Sequence, residues 1–168
     1  MFSLSTKFKI KCASLISDFL IIFLGDKNRT IKRNNINYYI NLREGIDLGI
    51  FLGIKNEVSI ANINKIINTE EKKIIIDIGA NIGSVSLPLA NMFKNSKIVS
   101  IEPTIYAYSK LKKNVSLNPS LKSRIKLENS FISNKNKSVK EVHSSWNFSD
   151  NNKKHKVHLG ILKKTSFK

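Results

Sequence analysis

The sequence contains a single cysteine, Cys12, and this scarcity excludes two kinds of cross-link. One cysteine can form no disulfide within the chain and cannot build a cysteine-based zinc site. His155 and His158 are three residues apart, but their lysine-rich surroundings offer only Asp150 as a further ligand. We therefore predict no metal site, and the cysteine usage favours a reducing, cytoplasmic setting.

The N-terminal region lacks an apolar run long enough to span a bilayer. Its apolar stretch, residues 12–25, is interrupted by Asp18 and precedes no small-x-small cleavage site. The apolar residues that recur there at helical spacing are Leu15, Phe19, Ile22 and Phe23. We predict an amphipathic helical extension within residues 1–33, ending near Gly25 and packed on the domain. Peripheral contact with a membrane through this helix is the alternative.

Acidic residues are scarce: 12 Asp and Glu stand against 29 Lys and Arg, a formal charge of +17. Such a field attracts polyanions. The lysines, however, are scattered from Lys7 to Lys168 among many Asn and Ile residues. No basic stretch carries the interleaved aromatic residues of a groove that binds single strands. We therefore interpret the charge chiefly as a composition bias and do not expect nucleic acid as the partner.

Short apolar runs alternate with helical patterns in the centre of the chain. The β-branched run "KIIIDIG" is typical of a strand buried on both faces of a parallel sheet, and a helix over residues 84–93 follows, with Ser84 or Ser86 as its cap. "KIVSIEP" is a second strand, "RIKLENSFI" a third, and the helix between them covers residues 104–118 with Thr104 as N-cap. This order predicts right-handed crossovers and a parallel α/β sheet.

The flanking regions give weaker patterns. We predict a strand over residues 36–42, a helix over residues 57–68, and short strands near residues 138–142 and 156–162. No third crossover helix is predicted after the third strand. The predicted fold is thus a partial Rossmann-like sheet with an unpaired edge, which is an association hazard.

The turn after the first central strand, "DIGANIG", is built from small residues. Gly79, Ala80, Asn81 and Gly83 let a ligand approach the backbone amides at a helix N-terminus, and Asn81 tolerates a left-handed conformation. A nicotinamide or flavin site of the type G-x-G-x-x-G would need a glycine where Ser84 stands, and the Gly-Lys-Ser/Thr ending of a P-loop is absent. The turn therefore favours a different cofactor.

Two carboxylates accompany the turn. Asp77 lies two residues before Gly79, and Glu102 closes the second strand "KIVSIE". A carboxylate about 20 residues past a glycine turn is expected where the ligand carries a ribose diol. The glycine turn and Glu102 together predict a ribose-bearing cofactor. With Asp77 two residues before its first glycine, the turn resembles the S-adenosylmethionine site of class I methyltransferases.

A longer set of motifs narrows the resemblance. "IIDIGANIGSVSLPLA", "IVSIEP" and "LKKNVSLNP", with Asn114 and Asn118 four residues apart, are similar to the FkbM-type methyltransferase family, as is the upstream segment "REGIDLGIFLG". The resemblance covers residues 36–134. It implies an S-adenosylmethionine-dependent methyltransferase fold. It also implies an O-methyltransferase activity on a sugar or secondary metabolite, with a small-molecule or glycan acceptor.

The resemblance also implies site residues. Those expected around the methionine part of the cofactor are Asp77, Gly79, Ala80, Asn81 and Gly83. Glu102 is expected to accept both ribose hydroxyls, and Asn129, with Ser130 beside it, to approach the adenine. For Asn114 and Asn118, ligand contact and tying down the second helix stay open.

The family's segment of the type K-I-D-x-E-G, which carries residues beside the acceptor, does not occur between Phe131 and Lys168. We therefore expect residues 34–168 to form an FkbM-like domain that is incomplete at its C-terminus, with doubtful independent activity and its remaining half encoded downstream. No catalytic base can be nominated. His143 and Asp150 are the tail candidates, and solvated loop positions are favoured for both.

Two further hypotheses stay open for the function. A basic nucleic-acid methyltransferase would explain the charge, but no N/D-P-P-Y/F motif for base amines is present. A non-catalytic α/β binding module would show no affinity for the cofactor, or an affinity that ignores Glu102.

Overall fold

The computed structural model describes residues 6–54, 63, 70–132, 141–144 and 163–166. The helices are α1 (Thr6–Leu24), α2 (Gly45–Leu52), α3 (Ser86–Met92), α4 (Ile105–Ser116) and α5 (Pro119–Lys122). The strands are β1 (Asn28–Arg33), β2 (Ile36–Asn41), β3 (Ile74–Ile78), β4 (Lys97–Ile101), β5 (Ile125–Glu128), β6 (Glu141–Ser144) and β7 (Lys163–Ser166).

The central sheet has the order β3-β4-β5, and both strand pairs are parallel. Asp77 is level with Ser100, and Ile101 is level with Glu128, so the carboxyl ends of the three strands share one edge. α3 connects β3 to β4, and α4 with α5 connects β4 to β5. The predicted Rossmann-like α/β arrangement of parallel strands and crossover helices is confirmed.

Among the described residues, β3 is exposed on the face that points away from the helices. Ile98 and Ser100 of β4 are buried beneath the helices, whereas the alternate residues Ile74, Ile76 and Ile78 of β3 are 60% to 73% exposed. The prediction that this strand is buried on both faces is therefore wrong. Within the described residues β3 is an edge strand.

A β-hairpin forms the second part of the core. β1 and β2 pair antiparallel through a turn at Asn34 and Asn35, whose φ angles are 48° and 62°. Alternate β2 residues, Ile36, Tyr38 and Ile40, are buried. β1 was not predicted: it lies within the segment assigned to the helical extension, of which only α1 is helical.

α1 packs on the core through a different face from the one predicted. Leu20 and Ile21 contact the core and Ser17 is fully buried, whereas the predicted residues are exposed. Those exposed residues are Leu15, Phe19, Ile22 and Phe23. The predicted helix is confirmed, but it carries apolar residues on both faces and its predicted orientation is wrong.

Parts of the sequence predictions lie outside the described residues. They include the strand near residues 156–162 and the helix over residues 57–68 except Ile63, which is helical and partly buried against the core. β6 and β7 pair antiparallel, and β6 overlaps the strand predicted near residues 138–142. Among the described helices, none has the length and apolar character needed to cross a membrane.

Candidate functional site

The glycine turn is anchored to the end of β4. The backbone N–H groups of Gly79 and Ala80 both donate to the carbonyl of Ile101, at 2.9 and 3.0 Å. The chain then passes through positive φ angles at Gly79 (79°), Asn81 (52°) and Gly83 (89°) before it enters α3. Asn81 thus adopts the left-handed conformation that the sequence predicts for it.

The two outer glycines of the turn differ in their surroundings. A Cβ atom at Gly79 would meet nothing within 4 Å, whereas one at Gly83 would lie 2.9 Å from Cδ1 of Leu111 and 3.3 Å from Cδ1 of Leu87. Gly83 therefore lets α4 pack against the turn, and Gly79 leaves open space beside the backbone. Cofactor contact by either glycine stays a prediction.

Glu102 follows β4 directly and is buried, with 5% of its surface exposed. Its Oε2 accepts from the amide N–H of Asn81 at 2.9 Å, which joins the glycine turn to the end of the neighbouring strand. Its Oε1 accepts from the N–H of Thr104 at 2.9 Å and from the Thr104 hydroxyl at 2.6 Å. Thr104 is the N-cap residue of α4, as the sequence predicts, but its hydroxyl holds the Glu102 carboxylate and makes no capping hydrogen bond.

Two acceptor positions around this carboxylate are unused by described residues. The side-chain Oδ1 of Asn81 is buried and accepts no hydrogen bond from them. The Oε2 atom of Glu102 accepts only the Asn81 amide there, although a carboxylate oxygen has room for two donors. A ligand that brings hydroxyl or ammonium donors could satisfy both atoms.

Asp77 lies one strand away and ends a chain of hydroxyl groups. Ser100 donates to Ser86 at 2.7 Å, and Ser86 donates to Oδ2 of Asp77 at 2.5 Å. Ser86 therefore does not cap α3, which begins at that residue without a side-chain cap. Partial burial raises the pKa of Asp77, the Ser86 hydrogen bonds lower it, and the negative charge of Glu102 raises it further.

Asn129 and Ser130 lie just past β5, at the same edge of the sheet, and both are exposed. The Nδ2 group of Asn129 donates to the carbonyls of Glu102 (2.8 Å) and Pro103 (3.1 Å). This side chain thus ties the ends of β4 and β5 together. Its predicted approach to an adenine, and that of Ser130, stays a prediction.

Asn114 and Asn118 bind protein backbone. Asn114 accepts from the N–H of Tyr39 at 2.7 Å and donates to the carbonyl of Ile82 at 2.9 Å. Asn118 accepts from the N–H of Asn37 at 2.8 Å and donates to the carbonyls of Asn37 (2.8 Å) and Asn114 (2.7 Å). They bind the edge of β2 that β1 does not use, and this favours the role of tying down the helix.

A polar cluster between α2 and α4 was not predicted from the sequence. Lys110 contacts Glu44 at 2.8 Å and also Asp47, which is fully buried, and Tyr106 donates to Glu44. Burial raises the pKa of Asp47 to about 6; Lys110 lowers it and Glu44 raises it. Burial and the charge of Glu44 also raise the pKa of Tyr106. The sequence features that could have indicated this cluster are the two acidic residues of "REGIDLG" and the oppositely charged Lys110.

The structure thus brings Asp77, Asn81 and Glu102 to one edge of the sheet, with Asn129 beside the end of β4. This group can hold and orient a ligand rich in donors. His143 lies in β6, not in a loop, and Asp150 lies outside the described residues. In the part of the chain that the structure describes, no group of three His, Cys, Asp or Glu side chains could hold a metal ion.

No protein-family model matches the chain, and no curated protein does. Solved structures do resemble it. PH0793 of Pyrococcus horikoshii, assigned as a transferase, is 22% identical with a TM-score of 0.49, and the match covers 72% of this chain and 49% of that one. TYW2 of P. horikoshii in complex with MeSAdo is 21% identical with a TM-score of 0.45, covering 75% and 50%.

TYW2 of M. jannaschii in complex with AdoMet is 19% identical with a TM-score of 0.44, and the match covers 62% of this chain and 44% of that one. The chain therefore spans about half the length of these structures or less. The similarity is one of fold, and the resemblance to the FkbM family stays a prediction.

Proposed function

We propose that the glycine turn and Glu102 form the S-adenosylmethionine site of a methyltransferase. The observation that carries this proposal is the 2.9 Å hydrogen bond from the Asn81 amide to the Glu102 carboxylate. It places a carboxylate suited to a ribose diol directly against the turn suited to close backbone approach. Both features were predicted from separate motifs 21 residues apart, and they meet at one point.

The residues present fit this cofactor. The second acceptor position of Glu102 Oε2 suits a ribose hydroxyl, and the unpartnered Oδ1 of Asn81 suits the ammonium group of the methionine part. The open space beside Gly79 allows the ligand to approach the backbone. When bound, S-adenosylmethionine supplies an electrophilic methyl group on a sulfonium centre.

Asp77 adds negative charge to the same site. Partial burial raises its pKa, and repulsion between its carboxylate and that of Glu102 raises the pKa further. A ligand that carries an ammonium and a sulfonium charge offsets this repulsion. Asp77 therefore holds the positive charge of the ligand in the proposed site, and Ser86 fixes the orientation of its carboxylate.

The proposed reaction is O-methylation of a sugar or secondary-metabolite hydroxyl. Its support is the resemblance of "DIGANIG", "SIEP" and "LKKNVSLNP" to the FkbM-type family. The net charge of +17 supports a second candidate, an RNA or DNA acceptor, whose binding would weaken steeply with salt. A filter-binding titration against RNA at low and high salt separates the two acceptors.

Calorimetric titration with S-adenosylhomocysteine tests the cofactor site. We expect Glu102→Ala to lower the affinity by roughly 10- to 100-fold, because charge-assisted hydrogen bonds contribute about 1.5 to 3 kcal/mol. Glu128→Ala is the matched control, since Glu128 ends the next strand and its side chain is 40% exposed. Unchanged binding in Glu102→Ala, or no binding by the wild type, contradicts the proposal.

A second variant keeps the carboxylate and removes one of its protein partners. Glu102 accepts three hydrogen bonds from the protein, so its removal also loosens the start of α4. Thr104→Val removes one of those donors and keeps the carboxylate. We expect a loss of affinity of about threefold, consistent with one weakened hydrogen bond that orients the ligand group.

A further inference from the structure

One face of α1 is apolar and exposed although the helix is packed on the core. We call this surface the outer face of α1. Its members are between 41% and 83% exposed: Phe8, Leu15, Ile16, Phe19, Ile22 and Phe23. The rings of Phe19 and Phe23 stack with their centroids 6.4 Å apart. A contiguous apolar surface of this kind marks an interaction site.

The opposite face of the same helix is fixed to the domain. Ala13, Leu20, Ile21 and Leu24 pack against the core, and Ser17 is fully buried. Arg43 also forms an ion pair with Asp18, the only acidic residue of α1. The helix is therefore held against the protein, and its outer face points away from the core.

Positive charge borders the N-terminal half of the outer face on both sides. With 3.6 residues per turn, the apolar residues occupy an arc of about 120°, and Lys9 and Lys11 lie at its two margins. Both lysines are exposed. Residues 6–33 contain seven Lys and Arg against two Asp, so the local charge has the same sign as that of the whole chain.

We propose that the outer face of α1 docks the protein on an anionic lipid surface. Phenylalanine, leucine and isoleucine in the centre with lysines at the margins is the pattern of helices that lie in the membrane interface. The lysine stems can extend toward phosphate groups while the rings enter the acyl boundary. A second copy fits less well, because it would bring two cationic margins together on proteins of net charge +17.

Vesicle flotation of the 168-residue chain tests this proposal. The probes are phosphatidylcholine vesicles with and without roughly 30% phosphatidylserine, at low and high salt. We expect the protein to float with the anionic vesicles and to dissociate as salt rises, since screening weakens the lysine contribution. Equal recovery with both kinds of vesicle, or recovery with neither, overturns the proposal.

Two variants locate the contact. Phe19→Ser with Phe23→Ser should lower the partition coefficient by at least roughly tenfold, and circular dichroism should stay unchanged because both side chains are exposed. Ile54→Ser, which removes an exposed apolar side chain outside the outer face, is the control. The lipid assignment is overturned if the double variant floats as the wild type does. It is also overturned if light scattering shows a dimer for the wild type and for Ile54→Ser that the double variant does not form.

Discussion

The joint between α4 and the hairpin and the turn beside Glu102 both contain asparagine side chains, yet the hydrogen bonds of these side chains differ. We define the α4 joint as the contacts of Lys110, Asn114 and Asn118 with β2 and α2. Each carboxamide in that joint has backbone partners for both its oxygen and its nitrogen. In the turn, by contrast, Asn81 Oδ1 has none among the described residues.

This difference distinguishes asparagines whose side chains are fully used by the protein from one whose side-chain oxygen can still accept a hydrogen bond. A saturated carboxamide has no capacity left for a ligand, whereas an unsatisfied buried oxygen costs free energy until a donor reaches it. Asp47 Oδ1 is the exception in the α4 joint, since it also lacks a partner among the described residues. Titration of the Asp47 carboxyl group therefore gives a further test of how the two regions differ.

The largest expected effect is that of Asn114→Ala on stability. This side chain is fully buried, and its loss strands the Tyr39 amide and the Ile82 carbonyl. We expect the free energy of unfolding to fall by about 3 kcal/mol. Urea denaturation measures it, with the exposed Ser116→Ala as the control. A loss below about 1 kcal/mol would show that these hydrogen bonds do not hold the joint.

An intermediate effect is expected from the titration of Asp47. Burial raises the pKa of this carboxyl from 3.8 to about 6, so the folded protein binds the proton more tightly than the unfolded chain. The stabilising contribution is thus present below pH 4 and is lost as the pH rises through about 6. The free energy of unfolding should fall by on the order of 2 kcal/mol over this range.

Asp47→Asn isolates this contribution because it removes the titrating group and keeps the side-chain shape. Urea denaturation of both proteins at pH 4, 5, 6 and 7 gives their difference in stability. The wild type should lose stability relative to the variant as the pH rises. A difference that stays constant over this range would contradict the raised pKa.

The smallest effect on stability is expected at Asn81. Glycine accepts the φ of 52° without strain, so Asn81→Gly should change the free energy of unfolding by less than about 0.5 kcal/mol. The variant also loses Oδ1, and affinity for S-adenosylhomocysteine should fall severalfold. Asn81→Ala has the same loss with about 1 kcal/mol of added strain. If Asn81→Gly bound S-adenosylhomocysteine as tightly as the wild type, the unpartnered Oδ1 atom would not distinguish the turn from the α4 joint.

The central sheet and the helices α3 and α4 could be predicted because their signals are local and periodic, whereas the short helix α5 was not predicted. The strand runs, the turn composition and the stop at Asn118-Pro119 each specify an element with little help from distant residues. The meeting of Asn81 and Glu102 could also be anticipated, because parallel strands bring their carboxyl ends to one edge.

The errors arose where distant or competing partners decide the outcome. Ser86 and Thr104 carry the residue types of helix caps, but Asp77 and Glu102 accept their hydroxyl groups instead. For α1, apolar residues occur on both faces, so periodicity could not tell which face the domain covers. β1 has the polar sequence "NRTIKR", and its best signal was the turn at Asn34-Asn35.

The three protein hydrogen bonds to Glu102 carry a thermodynamic consequence for whatever binds there. The carboxylate is immobilised and oriented when the chain folds, so a ligand need not restrict that side chain again on arrival. Its rotational entropy is lost during folding and not during association. Such a preorganised acceptor favours a ligand whose donors already match its geometry, and it discriminates against one that requires the carboxylate to turn.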